Sequence, residues 1–253
     1  MIARVEINGA IATATRNRVL EALEFVEKNH FPALLLRIDS PGGTVGDSQE
    51  IYQALKRVRQ HTKVVASFGN ISASGGVYIG VGADYIVSNP GTITGSIGVI
   101  LRGNNLEKLL DRIGVSFKVI KSGPYKDILA FDRQITEAEK QILQSLIDSS
   151  YDQFVQTVAE GRKLSPATVR SFADGSVFTG EQALNLGLVD RLGSEEDARI
   201  WAAELVGLDP KQTKTFTIKP PKSLANRLLP GTLLSELQFH LETAGVPLWL
   251  WRP

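Results

Sequence analysis

Two consecutive stretches decide the fold: Ala33-Leu34-Leu35-Leu36-Arg37-Ile38-Asp39-Ser40-Pro41-Gly42-Gly43-Thr44 and Lys63-Val64-Val65-Ala66-Ser67-Phe68-Gly69-Asn70-Ile71-Ser72-Ala73-Ser74-Gly75-Gly76. Each opens as an apolar run of strand length, Ala33–Ile38 and Lys63–Phe68, then breaks into a glycine-rich loop. Near-continuous apolar strands belong in a parallel sheet covered on both faces. A helical pattern follows each loop: Ser48–Arg59 after the first, and the short, glycine-rich Gly75–Ala83 after the second. Both loops therefore leave the carboxyl ends of buried strands, the edge of an α/β sheet where ligands bind.

The same alternation extends outward. Ala3–Ile7 reads as a strand, and Arg16–Lys28 as a helix with Val19, Leu20, Leu23 and Val26 on one face. Tyr85–Val87, Ile97–Leu101 and Ser116–Ile120 read as further strands, with a helix at Leu106–Ile113. From Thr136 the texture changes. Thr136 with Glu139 forms a capping-box signature opening a long helix to about Glu160. Ser165-Pro166 opens another helix, Val177–Thr179 is a short strand, and Glu181–Leu186 and Ser194–Leu205 are helical. The expected class is α/β with largely parallel pairing. Residues 1–218 read as one domain, and Lys219-Pro220-Pro221 starts a C-terminal appendage, residues 219–253.

Composition excludes several functions. The 28 basic and 27 acidic residues nearly cancel, so no global field attracts nucleic acid. The absence of cysteine removes disulfides, thiol nucleophiles and thiolate metal sites, and no metal or cofactor is expected. No run approaches the roughly 20 apolar residues of a membrane span. The first residues already alternate as a strand, so the protein is either soluble as made or shortened upstream.

Glycine lets a backbone N–H approach a substrate oxygen that a Cβ would block. Ser74 stands at the start of a helix, where orphan N–H groups favour negative charge. One donor from Gly43 and one from Gly75 beside the Ser74 hydroxyl would form a two-donor oxyanion hole. Taken singly, Pro-Gly-Gly is a turn and Ser before Gly-Gly a helix cap; their joint placement favours a site. Neither loop has the spacing of a phosphate cradle.

A serine nucleophile needs a base. His30 and His61 lie at the amino ends of the two strands, about 20 Å from the loops at roughly 3.3 Å per residue. His240 lies in the appendage. A lysine with a depressed pKa is the other base available near neutral pH. Lys126, in Ser122-Gly123-Pro124-Tyr125-Lys126-Asp127 after the expected strand Ser116–Ile120, is the candidate, with apolar neighbours that could desolvate its amine. The competing reading makes Lys126 a surface residue paired with Asp127.

Together these segments resemble the signal peptide peptidase A family of serine peptidases, whose fold is related to Clp protease and the crotonases. The resemblance runs from Ile2 to about Leu205. It is carried by Asp39–Gly43, Ser72–Gly76, Thr94-Gly95-Ser96-Ile97-Gly98, Ser122–Asp127, Phe178–Ala183 and Gly187–Asp190. It implies a Clp protease/crotonase-like fold of repeated ββα and βαβ units with a helical C-terminal part. It further implies Ser74 as nucleophile rather than Ser72, Lys126 as base, Ser96 orienting the lysine amine, and Gly43 and Gly75 holding the oxyanion. The implied substrates are remnant signal peptides or other extended apolar segments, and the short form implies a homo-oligomer. The N-terminal membrane anchor common in the family is not seen in this sequence. A crotonase-like acyl-CoA enzyme is the alternative, although neither glycine loop carries a Glu near its tip; an inactive assembly protein of the same fold is the other. The apolar stretch Gly76–Val81 behind the nucleophile leads us to expect a small or apolar side chain next to the cleaved bond. For the appendage, with its amphipathic Leu233–Leu241 and the final Val246-Pro247-Leu248-Trp249-Leu250-Trp251, three roles stand open: packing between subunits, contact with a membrane surface, or occupation of the peptide groove.

Overall fold

The computed structural model describes residues 1–218 and 246–251. Strand β1 (Ile2–Asn8) leads to helix α1 (Thr13–Lys28), then to β2 (Ala33–Ser40), the short β3 (Gly42–Thr44) and α2 (Val45–Val58). Next come β4 (Lys63–Ala73), α3 (Gly75–Gly80), β5 (Tyr85–Ser88), β6 (Ile93–Gly95) and α4 (Glu107–Ile113). The remainder comprises α5 (Glu137–Arg162), α6 (Pro166–Arg170), β7 (Val177–Thr179), α7 (Gly180–Asn185), β8 (Arg191–Leu192), α8 (Glu195–Glu204), β9 (Thr215–Thr217) and β10 (Leu248–Leu250).

The main sheet runs β7-β6-β4-β2-β1-β9, with β5 and β8 attached to β4. Only β6 and β7 pair antiparallel within it. The period of two along each strand explains the apolar runs. Leu34, Leu36, Ile38, Val64, Ala66 and Phe68 join the core shared with the helices α1, α2, α3 and α5. Ala33, Leu35 and Val65 pack on the opposite face against Ala198 and Ala202 of α8. With both faces covered, the strands are near-continuous apolar runs, broken within them only at Arg37 and Ser67.

β4 is longer than expected. It continues past Phe68 to Ala73, pairing first with β5 and then, through Ile71–Ala73, with β6. Its register against β2 slips, from Ile38 opposite Phe68 to Ser40 opposite Ser72. Side chains satisfy the backbone groups freed by the slip. The Asp39 carboxylate accepts the N–H groups of Asn70 at 3.2 Å and Ile71 at 3.1 Å. Ser72 Oγ donates to the Ile38 carbonyl at 2.7 Å, and Thr92 Oγ1 to the Gly69 carbonyl at 2.6 Å. These polar and glycine residues make the second half of the strand look like a loop.

Two expected strands do not form. Among the described residues Ile97–Leu101 contributes a single bridge, at Ile100, and Ser116–Ile120 has no strand partner. Their β-branched composition fits a pleated surface, but no described strand lies alongside to receive it. Val119 and Ile120 are exposed instead. The capping box at Thr136 and Glu139 is present and opens α5. Lys219-Pro220-Pro221 and Leu233–Leu241 lie outside the described residues. No described helix is long and apolar enough to cross a membrane.

Helix α5 comes close to the end of α3 at Gly161, where an added Cβ would collide with the Val81 carbonyl oxygen. Gly161→Ala should therefore destabilise the protein by about 1–3 kcal/mol in urea unfolding through overpacking. Helix propensity alone would raise stability by about 1 kcal/mol, so a gain would show that the two helices do not bear on one another.

Candidate active site

The β2–β4 pairing sets two glycine turns side by side. Gly42, at φ +99°, takes a conformation open to glycine, and a Cβ on Gly43 would collide with the Ile11 carbonyl. A Cβ on Gly75 would lie 3.2 Å from the Gly43 nitrogen and 2.7 Å from Ser48 Oγ. Ile11 takes the Thr44 N–H at 2.9 Å and gives its own N–H to the Gly42 carbonyl at 2.8 Å. Alternation along β3 then turns the Gly43 N–H to the opposite side, away from Ile11.

Ser74 connects β4 to α3 with φ 54° and ψ −114°. Such a backbone costs a non-glycine residue about 1–3 kcal/mol, and such strain gathers at functional sites. The residue is 1% exposed. Its N–H donates to the Gly95 carbonyl at 2.8 Å and its carbonyl accepts the Tyr78 N–H at 3.0 Å. Its Oγ has no hydrogen-bond partner among the described residues and does not cap α3, which removes the helix-cap reading. Ser72 Oγ, by contrast, is committed to the β2 backbone. Ala73 pairs with Gly95, so Ser74 and Ser96 leave β4 and β6 side by side. Ser96 is also left-handed, at φ 50°, buried, and fixed by its N–H to the Ser176 carbonyl at 2.7 Å.

Lys126 stands apart. Its side chain is exposed and forms no hydrogen bond to a described residue, so this chain alone does not join it to Ser74. The expected desolvation by Tyr125 and Phe131 is absent too, since both rings are exposed. The cause is the missing Ser116–Ile120 strand, which was to deliver the loop to the sheet edge. The alternative pairing with Asp127 is likewise not seen. Asp127 instead bonds Lys121 at 2.6 Å and Arg133 at 2.8 Å. Arg133 also grips Glu139 in the first turn of α5. The Arg133 guanidinium, with the Lys121 amine, holds the Asp127 carboxyl well below its usual range. Arg133 and the Thr136 N–H lower Glu139 to about 2. The Lys126 loop is thus pinned to α5 on the carboxyl side of the lysine, a role for Arg133 that sequence spacing did not reveal. His30 and His61 precede β2 and β4 at their amino ends; His240 lies outside the described residues.

The segment 247–251 crosses the site. β10 pairs antiparallel with β3, Trp249 opposite Gly43. On its other edge Leu248 exchanges two hydrogen bonds with Ile100, at 2.9 and 3.0 Å, and the Trp251 N–H reaches the Pro41 carbonyl at 2.8 Å. An extended segment therefore lies between β3 and residue 100, beside Ser74. No group of His, Asp and Glu side chains among the described residues could hold a metal.

This arrangement can receive a peptide backbone as an added strand and polarise one of its carbonyls. The architecture is that of the Clp protease class. The Clp protease model matches residues 2–88. The solved 1510-N membrane-bound stomatin-specific protease superposes with a TM-score of 0.60 over 87% of this chain and 98% of its own, at 16% identity. The chain belongs to peptidase family S49, whose model matches residues 56–209. A protein of Synechocystis sp. named as a protease is 62% identical over 99% of this chain and 96% of its own length. Protease 4 of Salmonella typhi is 41% identical over 70% of this chain, and the chloroplastic serine protease SPPA of Arabidopsis thaliana 31% over 80%. The chain spans only 28% and 30% of those two longer proteins. It is a protease by family.

Strain at Ser74 predicts an unusual pair of variants. Ser74→Gly should be more stable than Ser74→Ala by about 1 kcal/mol, a melting difference of about 2–4 °C for a chain of this size. Calorimetry giving the opposite order would mean the turn is not strained.

Proposed function

We propose that this protease is a serine endopeptidase with Ser74 as nucleophile and Lys126 as general base, acting on extended apolar peptides such as remnant signal peptides. The observation that carries the reading is the strand 248–250, an extended peptide laid on Gly42–Thr44 near a buried serine whose hydroxyl has no partner among the described residues. In this reading Ser74 Oγ attacks the peptide carbonyl carbon while neutral Lys126 Nζ takes its proton. The oxyanion gathers on the Gly43 and Gly75 N–H groups. The lysine ammonium then protonates the leaving amine, and the acyl-enzyme forms. Water, deprotonated by the lysine, attacks the ester and returns the serine and a carboxylic acid product. Ser96, adjacent to Ser74, would hold the amine in line.

A neutral lysine needs cover. Leu109, Ile113, Phe117, Val119, Ile120 and Tyr125, on α4 and the chain leading to Lys126, are exposed. Large apolar side chains exposed in such number along one stretch of chain mark an interaction surface. A second copy packed on it would desolvate the amine, so the active form is a homo-oligomer.

Ser74→Ala and Lys126→Arg should each reduce peptide hydrolysis by at least about a thousandfold, arginine failing because guanidinium stays protonated. Fluorophosphonate should label the parent at Ser74. Lys126 is active when deprotonated, so activity should fall on the acid side of an apparent pKa well below the free-lysine value of about 10.4. The Asp127 and Glu139 pins do not confuse this profile: depressed carboxyls release only as pH falls through their lowered values, about 2 for Glu139. Retained activity in Lys126→Arg would remove lysine from the mechanism.

Ile120→Glu combined with Phe117→Glu should yield monomers in light scattering and lose both turnover and fluorophosphonate labelling. Monomers with full activity would show that the dyad closes within one chain.

A further inference from the structure

Between Ile38 and Ser40, β2 has a single residue, Asp39, where β4 has three, Gly69, Asn70 and Ile71. The β2 backbone cannot pair with that surplus, and the Asp39 side chain does so instead. One carboxylate oxygen accepts the Ile71 N–H at 3.1 Å. The other accepts the Asn70 N–H at 3.2 Å and the Asn70 side-chain amide at 3.3 Å. A Cβ on Gly69 would collide with the same carboxylate, so residue 69 leaves the room that Asp39 enters.

The way the surplus is absorbed decides where Ser74 emerges. Beyond it Ser40 meets Ser72, Ala73 pairs with Gly95, and the Ser74 N–H reaches the Gly95 carbonyl at 2.8 Å. Absorbing one residue fewer would move the β4–α3 turn by roughly 3.3 Å along β2 and turn its side chains to the opposite face. The two proposed oxyanion donors belong to different strands, Gly43 following β2 and Gly75 following β4. Their separation is therefore set by the β2–β4 register. Asp39 lies four residues before Gly43, and the N–H groups it holds lie four and five before Gly75. The intervening turn is stiff: Ser40 Oγ accepts the Gly42 N–H at 3.1 Å, and a Cβ on Gly76 would lie 3.1 Å from the Ser40 carbonyl oxygen. A displacement at Asp39 is passed to both donors.

We infer that Asp39 is a positioning residue for the reaction: without touching substrate, its carboxylate fixes the spacing of the Gly43 and Gly75 N–H groups and so the fit of the oxyanion hole to the transition state. The inference rests on the catalytic reading of Ser74. Oxyanion donors must lie about 2.7–3.1 Å from the developing charge, and a misplacement of about 1 Å costs about a hundredfold in rate. Binding of an extended backbone is spread over several residues and is far less sensitive, so the effect belongs to kcat rather than KM. The same strand supplies a control. At the amino end of β4, Asp84 accepts the Val64 N–H at 2.8 Å, with Lys63 and Arg59 beside it. Its side chain is 15% exposed against 21% for Asp39, so its bonds contribute at least as much to stability, far from the glycine turns.

The test measures kcat and KM on a peptide reporter, the rate of fluorophosphonate labelling and the melting temperature. It uses the full chain as parent, Asp39→Asn, Asp39→Ala, Asp84→Ala and Ser74→Ala. Asp39→Ala should lower kcat and the labelling rate by about a hundredfold, with KM within about twofold of the parent. Asp39→Asn keeps the shape and one acceptor oxygen, and should recover about tenfold of that loss. Asp84→Ala should melt at or below the temperature of Asp39→Ala yet keep kcat within about twofold of the parent. If Asp39→Ala does not fold, Asp39→Asn against Asp84→Ala carries the same comparison, with a kcat loss of about tenfold expected. Parental kcat in folded Asp39 variants, a rise in KM with kcat unchanged, or an equal kcat loss in Asp84→Ala would overturn the inference. With Ser74→Ala inactive, each of those results would leave the catalytic reading intact. Turnover by Ser74→Ala would overturn both.

Discussion

The site depends on one ladder, the parallel pairing of β2 with β4, and on the slip within it. Up to Ile38 and Phe68 the two strands keep simple register; beyond, two extra residues of β4 are absorbed before Ser40 meets Ser72. Without that slip, Ser74 would not emerge beside the Gly42-Gly43 turn. Asp39 and Ser72 hold the slip by bonding across it. The acidic residue that opens the Asp39–Gly43 motif is thus explained by architecture. It keeps two glycine turns in contact and leaves its own chemistry aside.

This also shows what was legible in the sequence. The apolar runs Ala33–Ile38 and Lys63–Phe68 announced buried parallel strands, and the glycines after them announced the edge that matters. Ser74, Gly43, Gly75 and Ser96 come together because strand register is a local consequence of those runs. The Thr136–Glu139 box was legible for the same reason, since both partners lie within one turn. What escaped is what depends on distant partners. Gly69-Asn70 reads as a loop until Asp39 and Thr92 satisfy its backbone. Ile97–Leu101 and Ser116–Ile120 have strand composition with no strand to join. The seat of Trp249 follows from Tyr78 and Phe154, which no spacing in the sequence connects to it.

Ser74 and Lys126 are held by different means. Ser74 is built into the core, strained and desolvated before any substrate arrives. Lys126 rides an exposed loop whose anchor is ionic, from Asp127 through Arg133 to Glu139 at the start of α5. Lowering a lysine pKa by about three units costs about 4–5 kcal/mol of charged-state stability, and an exposed amine has no source for it. In the proposed mechanism, whatever covers the exposed apolar residues around α4 would have to provide that energy. Coupling the base to assembly would leave the isolated chain with a rigid acceptor site and no means of using it.

An open strand edge is a hazard as well as a tool. The outer edge of β3 is covered by residues 248–250; bare, its backbone groups would accept an added peptide strand and equally invite adventitious pairing with any exposed chain. Glycine worsens this, because Gly42 and Gly43 offer no side chain to shield the edge. A tethered strand resolves the conflict. It satisfies the β3 backbone in the structure. A folded protein presents a free extended backbone of this kind only at its sheet edges. In the proposed reading, selectivity for unfolded apolar segments would follow from this need for an extended backbone as much as from enclosure of the site.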